Sequence, residues 1–163
     1  MRMRILGIDP GYDRCGWAVL EVAGNQQHVI AFDCLTPLKK KEKLERFALL
    51  WQSLDEIFST YKPNQLAMET LFFSRNISTA LPVSEVRGML FALAFSRDIP
   101  ITEYSPNQIK LSVTGYGRAD KNQVMTMITK LLRLEKSPKI DDTGDALAVA
   151  LTHATYCRNQ RKT

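Results

Sequence analysis

The stretch Ile5-Leu6-Gly7-Ile8-Asp9-Pro10-Gly11 decides the fold of this chain. A short apolar run bounded by turn residues is typical of a buried strand, and this run leads directly into one carboxylate and a Pro-Gly turn. Asp9 would then lie at the carboxyl tip of the strand, where ligand sites gather in sheets covered by helices. Asp9 either caps a turn or is one ligand of a metal site. The second interpretation requires other carboxylates at the same edge.

Length and composition indicate one globular domain with a proper core. The chain has 163 residues, of which 45% are apolar. We assign residues 1–158 to a single domain and expect residues 159–163 to form a disordered tail. The 22 Lys and Arg residues exceed the 17 Asp and Glu residues, so the net charge is +5. This charge is compatible with a polyanionic partner such as nucleic acid.

The cysteines and the hydropathy pattern indicate a cytoplasmic protein. Cys15, Cys34 and Cys157 are far apart and form no C-x-x-C pair, which argues against a disulfide framework and a zinc site. No apolar run reaches the roughly 18 residues of a membrane span, and no signal peptide precedes the first strand. We therefore expect a protein of a reducing compartment, without contact with a membrane.

Periodicity along the chain predicts an α/β fold. Three strands joined by tight turns form an antiparallel meander, and two further strands each follow a crossover helix. One helix begins either at Ile77 or near Leu81, with Pro82 in its first turn. The predicted strands are 3–9, 15–22, 28–35, 65–69 and 99–104, and the helices are 44–61, 77–97, 105–113, 120–134 and 142–157. The result is a five-stranded mixed sheet, with three antiparallel strands and then two parallel ones, flanked by helices on both faces.

The helix predicted over 44–61 carries its apolar residues at spacings of three and four, which predicts one buried stripe. Its members are Leu44, Phe47, Leu50, Trp51, Leu54 and Phe58.

Four acids stand out by position. Glu69 ends the fourth strand as Asp9 ends the first, and Asp142 and Asp145 share one face at the start of the last helix. Capping of that helix by Asp141 or Asp142, completed by Asp145, is the alternative. Clustered carboxylates repel one another, and a divalent cation removes that penalty. Oxygen ligands without His or Cys favour Mg²⁺ or Mn²⁺, and two such ions suit the hydrolysis of a phosphodiester.

His153 follows Asp145 by eight residues on the same helix. That separation is roughly 12 Å, too far for both residues to share a metal ion. We therefore interpret this histidine as structural.

These motifs in their order resemble the RuvC family of Holliday junction resolvases, within the RNase H-like nuclease superfamily. The resemblance covers essentially the whole chain. It rests on Gly7-Ile8-Asp9-Pro10-Gly11, on Met68-Glu69 with Phe72 and Asn76, on Val113-Thr114-Gly115-Tyr116-Gly117 with Lys121, and on Asp142-x-x-Asp145-Ala-Leu-Ala. It implies an RNase H-like fold and a structure-selective endodeoxyribonuclease. Such an enzyme resolves four-way DNA junctions by paired, symmetrical, metal-dependent hydrolysis during recombination and repair.

The resemblance also implies roles for particular residues. Asp9, Glu69, Asp142 and Asp145 would be the catalytic acids and the ligands of two Mg²⁺ ions per site, with Mn²⁺ as a substitute. Phe72 would stack at the centre of the junction, unless both Phe72 and Phe73 belong to the core. The remaining implied DNA contacts are Arg75, Asn76, Lys110, Arg118 and Lys121.

The resemblance further implies partners. They are a second copy of the chain and the junction-binding and branch-migration motor proteins RuvA and RuvB. The helix over 82–97 is the expected dimer face, because the small residues Gly88, Ala92 and Ala94 crowd it. Packing of that helix on its own sheet is the alternative, and an apolar helix can do both.

Gly144, inside the acid motif, departs from the family pattern. Glycine costs about 1 kcal/mol relative to alanine inside a helix. Either it lets the last helix approach the sheet closely, or it leaves this turn looser.

Three other functions share parts of the pattern. Actin-like ATPases and sugar kinases begin similarly but need a second domain and a second phosphate loop. A related family of nuclease-like proteins, often proposed for RNA processing, would be shorter and would lack the Phe72 and Lys121 features. A non-enzymatic nucleic-acid-binding module would not need four acids.

Overall fold

A five-stranded mixed sheet forms the centre of the protein, in the strand order β3-β2-β1-β4-β5. The computed structural model describes residues 2–24, 26–37, 39–71 and 77–160. Strands β1, β2 and β3 pair antiparallel, whereas β4 pairs parallel to β1 and β5 parallel to β4. The bounds are Arg2–Asp9 for β1, Cys15–Ala23 for β2, Gln26–Leu35 for β3, Gln65–Glu69 for β4 and Ile101–Tyr104 for β5. The predicted sheet, with three antiparallel strands followed by two parallel ones, is confirmed.

Five helices accompany the sheet in the described part of the chain. Their bounds are Lys43–Tyr61 for α1, Ile77–Phe95 for α2, Pro106–Thr114 for α3, Lys121–Leu131 for α4 and Asp141–Gln160 for α5. Ser105 and Asp120 cap α3 and α4 with reciprocal capping boxes, as their sequences favour. Across the described residues, no helix is long and apolar enough to cross a membrane.

The ends of two helices differ from the prediction. Pro82 lies inside α2 rather than in its first turn, so the helix begins at Ile77 and not near Leu81. Burial of Val86, Leu90 and Leu93 against the sheet anchors α2 beyond the proline. Helix α5 continues to Gln160, past residue 158, and residues 161–163 lie outside the described part of the chain.

Alternating strand residues supply two cores, one on each face of the sheet. On one face, Ile5 and Leu20 pack with residues of α3, α4 and α5. On the other face, Leu6, Ile8 and Met68 pack with α1 and α2. Successive strand side chains point to opposite faces, so one short strand serves both cores. Helices on both faces, as predicted, are confirmed.

The buried stripe of α1 is rotated relative to the prediction. Leu50, Leu54 and Phe58 are buried as expected, but Leu44 is 82% exposed and Trp51 is 41% exposed. Leu44 lies in the first turn of α1, and the buried face instead includes Arg46 and Ile57. Burial of Arg46 is tolerated because its guanidinium has polar partners, Asp13 Oδ1 at 2.6 Å and the Tyr12 carbonyl at 3.3 Å.

His153 lies inside the core beneath β5. Its Nδ1 is 2.8 Å from the Tyr104 hydroxyl, and its Nε2 is 3.4 Å from Cys157 Sγ. Burial lowers the pKa of His153, which favours the neutral ring in this network. The prediction that this histidine is structural is confirmed.

Candidate active site

Two carboxylates end neighbouring parallel strands at the same edge of the sheet. Ile8 of β1 is in register with Met68 of β4, and the next residues along the two strands are Asp9 and Glu69. Because parallel strands end at one edge, the two acids are brought side by side, as the sequence predicts.

Helix α5 brings two more acids to this edge. It packs across β1 and β2, and two glycines of those strands make the close approach possible. A Cβ atom at Gly7 would lie 2.4 Å from the Ala146 carbonyl oxygen, and one at Gly16 would lie 2.0 Å from the Asp142 carbonyl oxygen. Both distances are far below van der Waals contact, so only glycine lets α5 lie this close. The first two turns of the helix thereby carry Asp142 and Asp145 to the ends of β1 and β4.

Asp9 is the most strongly perturbed of these acids. Burial raises the pKa of Asp9 to about 7, and the nearby carboxylates of Asp145, Asp142 and Glu69 add to the rise, whereas Lys121 opposes it. Burial also raises the pKa of Glu69 and of Asp145. Mutual repulsion among carboxylates in a partly desolvated place is the physical signature of a site that a cation completes.

Two lysines supply positive charge to the acids. Lys121 Nζ lies 3.1 Å from Asp145 Oδ2 and 3.3 Å from Asp141 Oδ2. Burial alone would lower the pKa of Lys121, but the two carboxylates outweigh it and raise that pKa. Lys110 of α3 lines the same cleft of about 250 Å³ as Glu69, Asp145 and Lys121. Both lysines are predicted DNA contacts, and the structure places them in one cleft with Glu69 and Asp145.

Arg14 contacts the site although no sequence pattern predicts a role for it there, and Asp141 contacts it although the sequence offers Asp141 only as an alternative cap or as an alternative ligand to Asp142. Arg14 Nε lies 3.2 Å from Asp142 Oδ2. That oxygen is buried and accepts no geometrically satisfactory hydrogen bond from any described residue. The position of Arg14 could have been predicted, because the turn that follows Asp9 must lie near the strand tip. Asp141 was considered only as a cap or a rival ligand, and it instead pairs with Lys121.

A buried arginine holds the end of β4 from the opposite face. Arg87 of α2 is only 7% exposed, and its Nη1 donates to the Glu69 carbonyl oxygen at 2.6 Å. Its Nη2 also bonds to the Glu103 carboxylate on β5, and its guanidinium lies 5.5 Å from the ring centre of Phe91. Arg87 therefore ties α2 to the backbone of one of the four acids.

The four acids offer ligand atoms that suit a divalent cation, but their side chains are not arranged as a ready binding site. The four acids offer only carboxylate oxygens, which are hard ligands, and Asp142 Oδ2 is a buried acceptor without a hydrogen bond. Within the described ranges, no three His, Cys, Asp or Glu side chains form a ready ligand group. The ammonium group of Lys121 lies against Asp145 and so occupies part of the space that a cation would take.

The other predicted DNA contacts are placed differently. Arg118 lines a separate depression on the far side of α3, with Leu111, Tyr116 and Gly117, rather than the cleft with the acids. Phe72, Arg75 and Asn76 lie outside the described residues.

Gly144 is explained by α4 and not by the sheet. A Cβ atom there would lie 2.0 Å from Met125 Cε and 2.8 Å from Met125 Sδ. The expectation that this glycine lets α5 approach the sheet is therefore wrong, because the space is filled by a neighbouring helix.

Comparisons with known proteins agree on one family. The model of the family described as "Crossover junction endodeoxyribonuclease RuvC" matches residues 5–153. The protein of that name from Petrotoga mobilis is 44% identical over 96% of both chains. The one from Thermotoga maritima is 40% identical over 99% of this chain and 96% of its own.

Solved structures lead to the same group. The structure of RuvC from T. thermophilus in complex with a Holliday junction substrate superimposes with a TM-score of 0.91, at 31% identity over 97% of this chain and 96% of that one. The yeast mitochondrial Holliday junction resolvase, at 16% identity over 98% of this chain and 83% of its own and a TM-score of 0.71, shares the fold.

Proposed function

Because the chain belongs to the RuvC family of crossover junction endodeoxyribonucleases, we propose that its four acids perform the hydrolysis, making paired and symmetrical cuts in four-way DNA junctions. One observation carries this proposal. Asp9, Glu69, Asp142 and Asp145 come from three elements close enough to interact at one sheet edge, and Lys110 and Lys121 share a cleft with Glu69 and Asp145. Family membership makes the protein a hydrolase of DNA junctions, and the recombination and repair of DNA are its setting.

We assign the metal site to the same four acids, with two Mg²⁺ ions per site and Mn²⁺ as a substitute. When bound, these ions would lower the pKa of the attacking water and neutralise charge that builds on the phosphate. Asp9 and Glu69 would hold their ligand positions through the strands, and Asp142 and Asp145 through the first turns of α5. The raised pKa of Asp9 supports this assignment, because burial and the neighbouring carboxylates disfavour its charged form and a bound cation would favour it.

Positive and aromatic side chains would bind the substrate. Lys110 and Lys121 are positioned to contact the phosphate groups next to the acids, as their place in the cleft supports. Arg118, on the neighbouring surface, would contact DNA further from the cut. Phe72, Arg75 and Asn76 remain predictions from the sequence, with Phe72 stacking on bases at the centre of the junction.

We further propose a homodimer that buries the outer face of α2, which would present two active sites to two opposed strands. That face exposes Gly88 and Ala92 together with Leu81, Phe91 and Phe95, the last of which is 86% exposed. Ala94 is fully buried in the core of its own chain, so it does not belong to this face, contrary to the prediction.

A cytoplasmic location with RuvA and RuvB as partners, and one nuclease domain over residues 1–158, complete the proposal. Within the described residues, Cys15, Cys34 and Cys157 form no disulfide, which is in keeping with that location.

A cleavage assay tests the proposed function. A synthetic four-way junction and the matching linear duplex are incubated with Mg²⁺ or with a chelator, using wild type, Asp9→Asn and Glu56→Gln. Glu56 is an exposed acid on α1, so its substitution repeats the charge change away from the site.

We expect paired nicks on the junction alone, only with Mg²⁺, and a loss of more than about a hundredfold for Asp9→Asn with Glu56→Gln unchanged. Binding without nicks would favour a binding module. Cleavage of RNA or of the linear duplex would keep the acidic site and overturn the substrate.

A further inference from the structure

Arg14 reaches the acids from the side opposite the two lysines. It ends the turn between β1 and β2, over residues 10–14, and its Nε lies 3.2 Å from Asp142 Oδ2. Its side chain is 56% exposed, so much of it remains accessible to a ligand. Lys110 and Lys121, from α3 and α4, lie instead beside Glu69 and Asp145.

The turn that carries Arg14 is held by a buried cation. Arg46 of α1 donates to the Tyr12 carbonyl oxygen at 3.3 Å and to Asp13 Oδ1 at 2.6 Å. Its guanidinium also lies 3.9 Å from the ring centre of Tyr12. The bond from Arg46 lowers the pKa of Asp13. A buried guanidinium is costly without polar partners, and the bonds from Arg46 Nη2 supply two of them, although Arg46 Nε has no hydrogen bond to a described residue. These two bonds tie the turn at Tyr12 and Asp13 to α1.

The backbone after Arg14 is fixed as well. Gly16 lies against the backbone of Asp142 so closely that a Cβ atom would be 2.0 Å from its carbonyl oxygen. The residues on both sides of Arg14 are thus anchored, one side to α1 and the other to the first turn of α5. The Arg14 side chain is exposed within this anchored segment, so its guanidinium is held near the acids and is accessible to a ligand.

We propose that Arg14 binds a backbone phosphate of the DNA, on the β1–β2 side of the acids. A guanidinium has five N–H donors in a planar fork that matches phosphate oxygens, and Arg14 contacts Asp142 through Nε while 56% of its side chain is exposed. The acids would then lie between phosphate-binding cations on two sides, which draws a polyanionic strand across carboxylates that would otherwise repel it. This inference rests on the proposed function, because it takes junction DNA as the ligand.

The competing explanation is that Arg14 only neutralises Asp142. Both explanations predict weaker DNA binding when Arg14 is lost, so affinity alone does not distinguish them. They differ in the number of counterions released, and in whether the effect requires the charge on Asp142.

The experiment measures the binding of a fluorescent four-way junction by anisotropy in the presence of a chelator, over a series of salt concentrations. The variants are Arg14→Ala, Arg14→Lys and, as a matched control, Arg2→Ala. Arg2 is an exposed arginine at the opposite end of β1 that also faces a carboxylate, with Nη1 3.7 Å from Glu21 Oε1. The Arg14→Ala change is repeated in the Asp142→Asn background.

We expect Arg14→Ala to reduce the slope of log K against log salt by about 0.9, the value for one phosphate contact. Arg14→Lys should keep the slope, Arg2→Ala should leave it unchanged, and the reduction should persist in the Asp142→Asn background. A slope for Arg14→Ala equal to that of wild type, or a reduction that disappears with Asp142→Asn, overturns the inference. Cleavage by wild type is scored separately, so a protein that binds without cutting would refute the proposed function and not this contact.

Discussion

Replacing Asp9 by Asn should stabilise the protein in the absence of metal, although it should abolish cleavage. Asp9 carries its charge at a cost, because burial and three neighbouring carboxylates raise its pKa from 3.8 to about 7. A carboxyl with a raised pKa in the folded state binds its proton more tightly there than in the unfolded chain. Folding stability from this group is therefore fully present below about pH 4 and is lost as the pH rises to about 7.

The size of the stability difference follows from the difference between the pKa of Asp9 in the unfolded and in the folded state. Each pH unit corresponds to about 1.4 kcal/mol, so the interval from 3.8 to about 7 gives about 4 kcal/mol. Asparagine has nearly the same shape and never ionises. The variant should therefore match wild type near pH 4 and exceed its free energy of unfolding by up to about 4 kcal/mol above pH 7.

Urea unfolding with a chelator, at pH 4, 5.5, 7 and 8, measures this difference directly. The exposed-acid variant Glu56→Gln serves as the control and should follow wild type at every pH. Addition of Mg²⁺ at pH 8 should stabilise wild type more than Asp9→Asn, because a bound cation stabilises only the state that binds it. A difference between Asp9→Asn and wild type that is constant with pH would refute the electrostatic reasoning, and so would a variant less stable at pH 8.

Three further sets of substitutions test the contacts around the acids. Lys121→Ala should reduce the salt slope of junction binding in chelator by about one, since Lys121 lies within the cleft, and an unchanged slope would place it away from phosphate. Arg87→Met should lower the free energy of unfolding by about 2 kcal/mol, because the Glu69 carbonyl oxygen loses a charged hydrogen-bond donor. Arg87→Lys should lower it by less, and equal losses for the two variants would mean that only packing matters. Gly144→Ala and Met125→Ala should be coupled by at least about 0.5 kcal/mol in a double-mutant cycle, because the added methyl group meets Met125, and additive effects would contradict that contact.

The acids could be predicted because their positions follow from local pattern. An apolar strand that ends in a carboxylate places Asp9 and Glu69 at strand tips, and parallel pairing then brings the tips together. The spacing of Asp142 and Asp145 indicates one helix face without knowledge of the rest of the chain. The resemblance of these motifs to a known family added the prediction that all four acids share one site.

What could not be predicted depends on contacts between distant elements. The apolar periodicity of α1 indicates a buried stripe, but it does not indicate which end of the helix extends past the sheet. The prediction that Leu44 is buried is wrong for this reason. Burial of Arg46 can be explained only from the turn after β1, which supplies the polar partners of its guanidinium. In the same way, nothing local to Gly144 indicates that a methionine of another helix fills its place.

The order in which the four acids occur along the chain has a consequence for when the protein can cut DNA. Asp9 lies in the first strand, whereas Asp142 and Asp145 belong to the last helix, and that helix also covers both β1 and β2. Any product of interrupted synthesis or proteolysis that ends before residue 141 loses two of the four acids and the helix that covers β1 and β2. If the four acids cut DNA as proposed, a fragment of this kind would have neither a complete active site nor a complete core.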